Sequence, residues 1–212
     1  MSVVSSRKFK LDFVGIGAER SATTWLAKCL NAHPEICVSI PKEVHYFNKY
    51  NHFLLEKSYN DRFDKETSWY SRRFRHCKKD SLKGEYGTVY LFDPFTAERI
   101  KEFYPDCKII VSLRNPIERI YSQYLWVKHY SDAEKRSFSK AIRECSEYIE
   151  KSLYYKQLKK YYDCFDENQI HVILFDDIKQ RPKKVISRLY TFLGADAEFV
   201  PEILNVKVNK VR

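Results

Sequence analysis

Gly15-Ile-Gly-Ala-Glu-Arg-Ser-Ala-Thr-Thr-Trp-Leu26 is the stretch on which the reading of this chain turns. Leu11, Phe13, Val14 and Ile16 read as a short buried strand, and Thr23 to Leu30 as a helix with Trp25, Leu26 and Leu30 at turn-like spacing. Between them lie small residues, one cation and two hydroxyls. The unpaired N–H groups and the dipole of a helix start attract an anion. Arg20 adds a positive charge beside it, and Thr23 and Thr24 add hydroxyl donors. A strand, turn and helix with a structural Arg20 is the plainer alternative.

The stretch departs from the G-x-x-x-x-G-K-[ST] loop of nucleoside triphosphate enzymes, because Ala22 and Thr23 stand where Gly and Lys would be. The cation comes earlier, as Arg20, and no acidic metal-binding strand follows. That combination favours a nucleotide whose transferred group needs no magnesium. A P-loop nucleotide kinase is the alternative that metal-dependent ATP use would revive.

The loop resembles the 5′-phosphosulfate-binding loop of sulfotransferases that use 3′-phosphoadenosine 5′-phosphosulfate (PAPS), written Lys or Arg, then Ser-Gly-Thr-Thr and an aromatic or apolar residue. The resemblance implies that Arg20, Ser21, Ala22, Thr23, Thr24 and Trp25 bind the donor and that adenosine 3′,5′-bisphosphate (PAP) is the product. Its fold implication is an α/β, P-loop-like three-layer domain with a mostly parallel central sheet flanked by helices. Apolar strands near 11–17, 108–113 and 169–175, alternating with helical segments, agree with that.

A second segment, Val111-Ser-Leu-Arg-Asn-Pro-Ile-Glu-Arg-Ile-Tyr-Ser-Gln-Tyr124, is read separately. Asn115 suits an N-cap and Pro116 the first helical position, so a helix starts there. Arg114 then sits at the carboxyl end of a strand and Ser122 two turns into the helix, both able to face one anion over the sheet edge. The competing reading pairs Arg114 with Glu118. An Arg followed eight residues later by a Ser resembles the family's 3′-phosphate site.

A third segment, Pro41-Lys-Glu-Val-His-Tyr-Phe47, resembles the stretch that carries the catalytic carboxylate in the carbohydrate branch, including the heparan sulfate enzymes. Sulfuryl transfer to an alcohol is helped by a base that removes the hydroxyl proton. By this resemblance Glu43 is that base, Lys42 and His45 orient the acceptor or tune the carboxylate, and Arg20 stabilises transition-state charge. A Glu and a His in such an aromatic stretch otherwise read as surface or packing residues. Tyr154, in Lys151-Ser-Leu-Tyr-Tyr155, is placed at the nucleotide site or in the core.

Three departures stand out. Ala22 replaces a glycine used where backbone approaches closely or φ is positive. Tyr86, in Glu85-Tyr-Gly-Thr-Val-Tyr90, stands where the family has a substrate-contacting Lys. Asn209-Lys-Val-Arg212 ends where the family continues into a basic loop over the nucleotide, so Lys207, Lys210 and Arg212 are expected to begin that loop and 1–212 to be one domain lacking part of its C-terminus.

Composition adds limits. An apolar fraction of 44% and 16% aromatic residues argue against disorder. The net charge of +10 suits a polyanionic nucleotide and an acidic glycan. The run Arg72-Arg-Phe-Arg-His-Cys-Lys-Lys79 mixes cations with aromatics, as nucleic-acid binders do, but carries no recognised motif, and a non-catalytic anion or nucleic-acid module is the rival it leaves. Trp69-Tyr70 reads as a sugar-stacking pair or as the packed face of a helix. Six cysteines without a C-x-x-C pair offer no metal template, and Cys29, Cys107 and Cys164 read as buried thiols of a reducing cytoplasm. Met1 to Lys10 lacks a signal-peptide core, and no stretch nears the roughly 18 apolar residues of a membrane span. Golgi members of the family are anchored, so the chain is expected to be a free soluble enzyme or an excised catalytic domain. The expected partners are the sulfate donor and a hydroxyl acceptor, a carbohydrate, with no nucleic acid.

Overall fold

The computed structural model describes residues 9–54, 56–131 and 133–206. Seven strands occur among them: β1 (Phe13–Gly17), β2 (Ile36–Val38), β3 (Tyr50–Phe53), β4 (Glu56–Tyr59), β5 (Leu82–Tyr86), β6 (Lys108–Leu113) and β7 (Ile170–Leu174). The helices are α1 (Thr23–Ala32), α2 (Thr67–Ser71), α3 (Thr96–Phe103), α4 (Pro116–Trp126), α5 (Phe138–Glu144), α6 (Glu147–Glu150), α7 (Tyr154–Cys164), α8 (Phe175–Gln180) and α9 (Pro182–Leu193).

Five strands form one parallel sheet in the order β2-β5-β1-β6-β7, while β3 and β4 make a separate antiparallel hairpin. β1 is buried along its whole length, as expected for a central parallel strand covered on both faces. Alternation of side chains then divides the core into two layers. Val14, Ile16, Ile109 and Val111 face a cluster completed by Ile100 of α3 and Tyr161 of α7. Phe13 and Ile110 face the other, with Leu26 and Leu30 of α1 and Leu189 of α9. The three-layer α/β arrangement expected from the sequence is therefore present.

The helix expected after β6 begins as its residues dictate. Asn115 Oδ1 accepts from the N–H groups of Ile117 (3.0 Å) and Glu118 (3.3 Å), and Pro116 occupies the first turn. Chain order reverses at β1, with β5 on one side and β6 on the other. The crevice beyond the carboxyl ends of those strands is where ligands of open α/β sheets gather.

Two readings resolve toward packing and one is corrected. Tyr70 is fully buried and stacks on Tyr46 at 4.5 Å, and Trp69 packs against the same core. Cys29 and Cys107 are buried thiols and Cys164 is partly buried, but Cys37 and Cys77 form a disulfide. It ties the edge strand β2 to the turn after α2, and it removes the cysteine argument for a reducing compartment, because disulfides persist in oxidising ones. Among the described residues no helix is long and apolar enough to cross a membrane. Lys207, Lys210 and Arg212 lie outside the described residues.

Candidate functional site

A cavity of about 850 Å³ opens at the carboxyl edge of the sheet, lined by Glu19, Arg20, Ala22, Thr23, Thr24, Trp25, Glu43, His45, Arg114 and Ser122 among others. Three segments far apart in sequence thus meet on one wall. Ser21 and Tyr154 do not line it. Ser21 is fully buried, its carbonyl taking a hydrogen bond from Ser112, while the Tyr154 hydroxyl donates to the Arg114 carbonyl at 3.1 Å from behind.

The loop from β1 to α1 is shaped by positive φ values at Arg20 (64°) and Ala22 (65°). Left-handed backbone at the residue before a helix turns successive N–H groups inward, the geometry of an anion nest. No side-chain hydrogen bond caps α1, and its first residues, Thr23 and Thr24, line the cavity. Arg20 Nε donates to Ser122 Oγ at 3.2 Å, which links the first and second segments directly. Arg114 lies over the Phe175 ring at 4.5 Å and holds Glu118 through Nε (3.1 Å) and Nη2 (3.0 Å). The pairing weighed in the sequence is thus present, on a guanidinium that also lines the cavity. Two guanidinium groups, an uncapped helix start and hydroxyls from Thr23, Thr24 and Ser122 are a donor set suited to two phosphate-like groups.

Glu43 faces the same space. Its Oε2 accepts from the Thr88 hydroxyl at 2.7 Å, its Oε1 pairs with Lys42 Nζ at 2.8 Å, and His45 Nε2 lies 3.9 Å from Oε2. Burial raises its pKa, but the Lys42 charge and the hydrogen bonds from Lys42 and Thr88 outweigh that and leave it below the usual carboxylate value. Burial, opposed by Glu43, leaves the His45 imidazole below its ordinary 6.5, and so neutral at neutral pH.

The backbone around His45 is held from every side. His45 has φ of 57°, a left-handed conformation. The N–H of Val44 donates to Glu85 Oε2 (3.3 Å) and that of Tyr46 to Tyr90 Oη (2.9 Å), while Tyr90 Oη donates to Glu85 Oε1 (2.7 Å). From the other side Asn60 Nδ2 donates to the His45 carbonyl and Arg62 Nη1 to that of Val44. Glu85 is fully buried, and desolvation pushes its carboxyl up to about 8.

Sequence reasoning missed several wall residues: Glu19, Thr88, Gln123, Trp126, Lys151 and Phe175. Thr88 was within reach, since it lies in the segment set aside for Tyr86. Glu19 and Lys151 form an ion pair of 3.1 Å across 132 positions, which no local pattern announces. Tyr86 itself is fully buried, with the Lys42 ammonium 5.8 Å from its ring centroid.

The model of the sulfotransferase domain matches residues 11–211. Among curated relatives, a membrane-associated sulfotransferase of Dictyostelium discoideum is 29% identical, over 90% of this chain and 58% of its own length. Human heparan sulfate glucosamine 3-O-sulfotransferase 5 is 21% identical, over 84% of this chain and 52% of its own. The chain thus spans a little over half the length of these two relatives. A sulfotransferase structure from Alicyclobacillus acidocaldarius superposes with a TM-score of 0.80 at 29% identity, covering 95% of this chain and 87% of that one. Mouse SULT7A1, solved with PAP, shares the fold at a TM-score of 0.58 and 15% identity, covering 92% of this chain and 60% of that one. This chain belongs to the sulfotransferase domain family, whose members use PAPS as donor. The residues present fit that donor, since the wall that carries both guanidinium groups also carries the uncapped helix start.

Proposed function

We propose that this chain moves the sulfuryl group of PAPS to a hydroxyl of a carbohydrate, with Glu43 as the general base. The observation that carries the reading is the meeting of Glu43, Arg20, Arg114 and Ser122 on one cavity wall. Arg20, Thr23, Thr24 and the amides from Ser21 to Thr24 hold the 5′-phosphosulfate, Trp25 lies beside the nucleoside, and Arg114 with Ser122 takes the 3′-phosphate in exchange for Glu118. Tyr154 acts through its hydrogen bond to the Arg114 carbonyl rather than on the nucleotide.

PAPS supplies an activated sulfuryl group whose bond to the phosphate oxygen breaks as the acceptor oxygen bonds to sulfur. Glu43 accepts the hydroxyl proton at that moment, on a carboxylate already ionised by Lys42 and Thr88. Arg20 stabilises charge on the sulfuryl and departing phosphate oxygens, and holding the groups in line supplies much of the acceleration. The carbohydrate acceptor is supported by the similarity to heparan sulfate enzymes. The unit proposed is one domain, and the sulfate donor and a glycan are its proposed partners. A cytoplasmic site, expected from thiols, is not carried further beside the Cys37–Cys77 disulfide.

The test is transfer of radiolabelled sulfate from PAPS to an oligosaccharide panel, with calorimetry of PAP binding. Glu43→Gln should lower turnover roughly 100- to 10,000-fold, as for loss of a general base, with PAP affinity kept. Full turnover in a folded Glu43→Gln protein would remove the base assignment. Arg114→Ala should weaken PAP binding by about 1.5–3 kcal/mol without magnesium dependence.

A further inference from the structure

The cavity wall divides by charge. Arg20 and Arg114 stand with the helix start, Ser122 and Phe175, the side assigned to the nucleotide. The rest of the lining includes Glu19, Asn51, His52, Phe53, Gln123 and Lys151, and with them Trp126. These residues hold one another. Lys151 Nζ reaches Glu19 Oε2 (3.1 Å) and the His52 carbonyl (3.4 Å), and Gln123 Nε2 donates to Glu19 Oε2 (3.2 Å).

Among the described residues Lys151 is the one ammonium or guanidinium group lining that half. Its side chain is only 5% exposed and is matched twice, by Glu19 and by Glu147 Oε1 at 2.8 Å. The neighbouring Lys42 is likewise spent on Glu43. Three carboxylates, Glu19, Glu43 and Glu147, therefore face two ammonium groups. Among the described residues, the basic run of Arg72, Arg73, Arg75, Lys78 and Lys79 lies off the cavity. Tyr86, at the end of β5, brings a buried ring in place of a cation. What the half does offer is neutral. Asn51 supplies an exposed amide for hydroxyl groups, and Phe53 (39% exposed) and Trp126 (36% exposed) supply aromatic faces for the apolar side of a sugar ring.

We propose that the acceptor half of this cavity takes an uncharged sugar and rejects one whose reacting unit carries sulfate or carboxylate. The inference rests on the sulfotransferase reading and narrows it. An anionic group entering here loses its water, meets Glu43 and Glu19 at like charge, and finds each nearby ammonium already engaged.

The experiment compares a neutral N-acetylglucosamine oligosaccharide with the same oligosaccharide bearing sulfate, as acceptors from PAPS at low and high salt, on protein shown to bind PAP. The neutral chain should be used with kcat/KM at least about tenfold higher, the step equivalent to 1.4 kcal/mol, and with KM indifferent to salt. Asn51→Lys, which adds a cation to the wall, should raise use of the sulfated chain and make it salt-dependent while leaving PAP affinity unchanged. Equal or better use of the sulfated chain by the unaltered protein overturns the inference, as does failure to use either chain when PAP binds. Loss of PAP binding itself would instead count against the sulfotransferase reading beneath it.

Discussion

Ala22 shows how one residue in this loop is governed by backbone geometry. Its φ of 65° lies in the left-handed region, where a Cβ costs about 1–2 kcal/mol. Ala22→Gly removes that cost but gives the unfolded chain more freedom, worth about 0.4–1 kcal/mol. Stability by urea denaturation should stay within about 1 kcal/mol of the original, since the two effects oppose each other, and PAP affinity should be kept. Ala22→Val sets a β-branched residue at positive φ and should both destabilise the protein and weaken PAP binding. Glu85 makes a different residue-scale prediction. Burial pushes its carboxyl up to about 8 in the folded chain, against an ordinary 4.5, so across that window the unfolded chain is ionised while the folded one holds its proton. The folded state then binds more protons, and stability falls as pH rises through the window and levels off above it. Thermal melts of Glu85→Gln over the same range should show a flatter dependence. A slope equal to that of the unaltered protein would mean that Glu85 is ionised when folded. For Glu43, held below the usual value, the sign is reversed, and loss of turnover through its protonation belongs below pH 4.5.

At the scale of elements, what could be read depended on how local the signal was. The helix starting at Pro116 was legible because cap, proline and apolar spacing lie within a few residues. β1, β6 and β7 were legible as apolar runs. β2 and β5 were not, because Ile36–Val38 is three residues long and Leu82–Tyr86 carries Lys83, Gly84 and Glu85 inside a strand whose last three residues are buried. Arg119 is the sharpest case. It lies among polar helix residues, yet it is fully buried and donates to Ser152, Gln123 and the Tyr148 carbonyl, fastening α4 to α6 and the turn before α7. The disulfide was equally hidden, since 40 positions separate Cys37 and Cys77. Closing a loop of that length should contribute about 2–4 kcal/mol, so Cys77→Ser should lose that much in urea denaturation without reductant. Reductant should bring the original protein close to the variant, and unchanged stability on reduction would dismiss the bond as a stabilising tie.

For the whole molecule, ligand linkage offers the broadest check. PAP that binds only the folded chain adds RT ln(1 + [L]/Kd), about 2.7 kcal/mol at a hundredfold excess over Kd, and should raise Tm. The rise should persist without magnesium and shrink in Arg114→Ala. A rise that needed magnesium would point back to triphosphate chemistry.

The order of three short segments along the chain determined the family and the layered α/β fold, because strand hydrophobicity, helix capping and an anion-binding loop are encoded within a dozen residues each. Arg20, Glu43 and Arg114 were named on the same grounds. Tertiary structure decided the rest. It put Ser21 and Tyr154 behind the wall rather than on it, buried Tyr70 in the core with Trp69 packed against it, and oxidised Cys37 with Cys77. It also brought Lys151 between Glu19 and Glu147, two carboxylates on one ammonium. Those outcomes depend on which side chains from distant segments come within a few ångströms. That proximity is a property of packing, and no local pattern carries it.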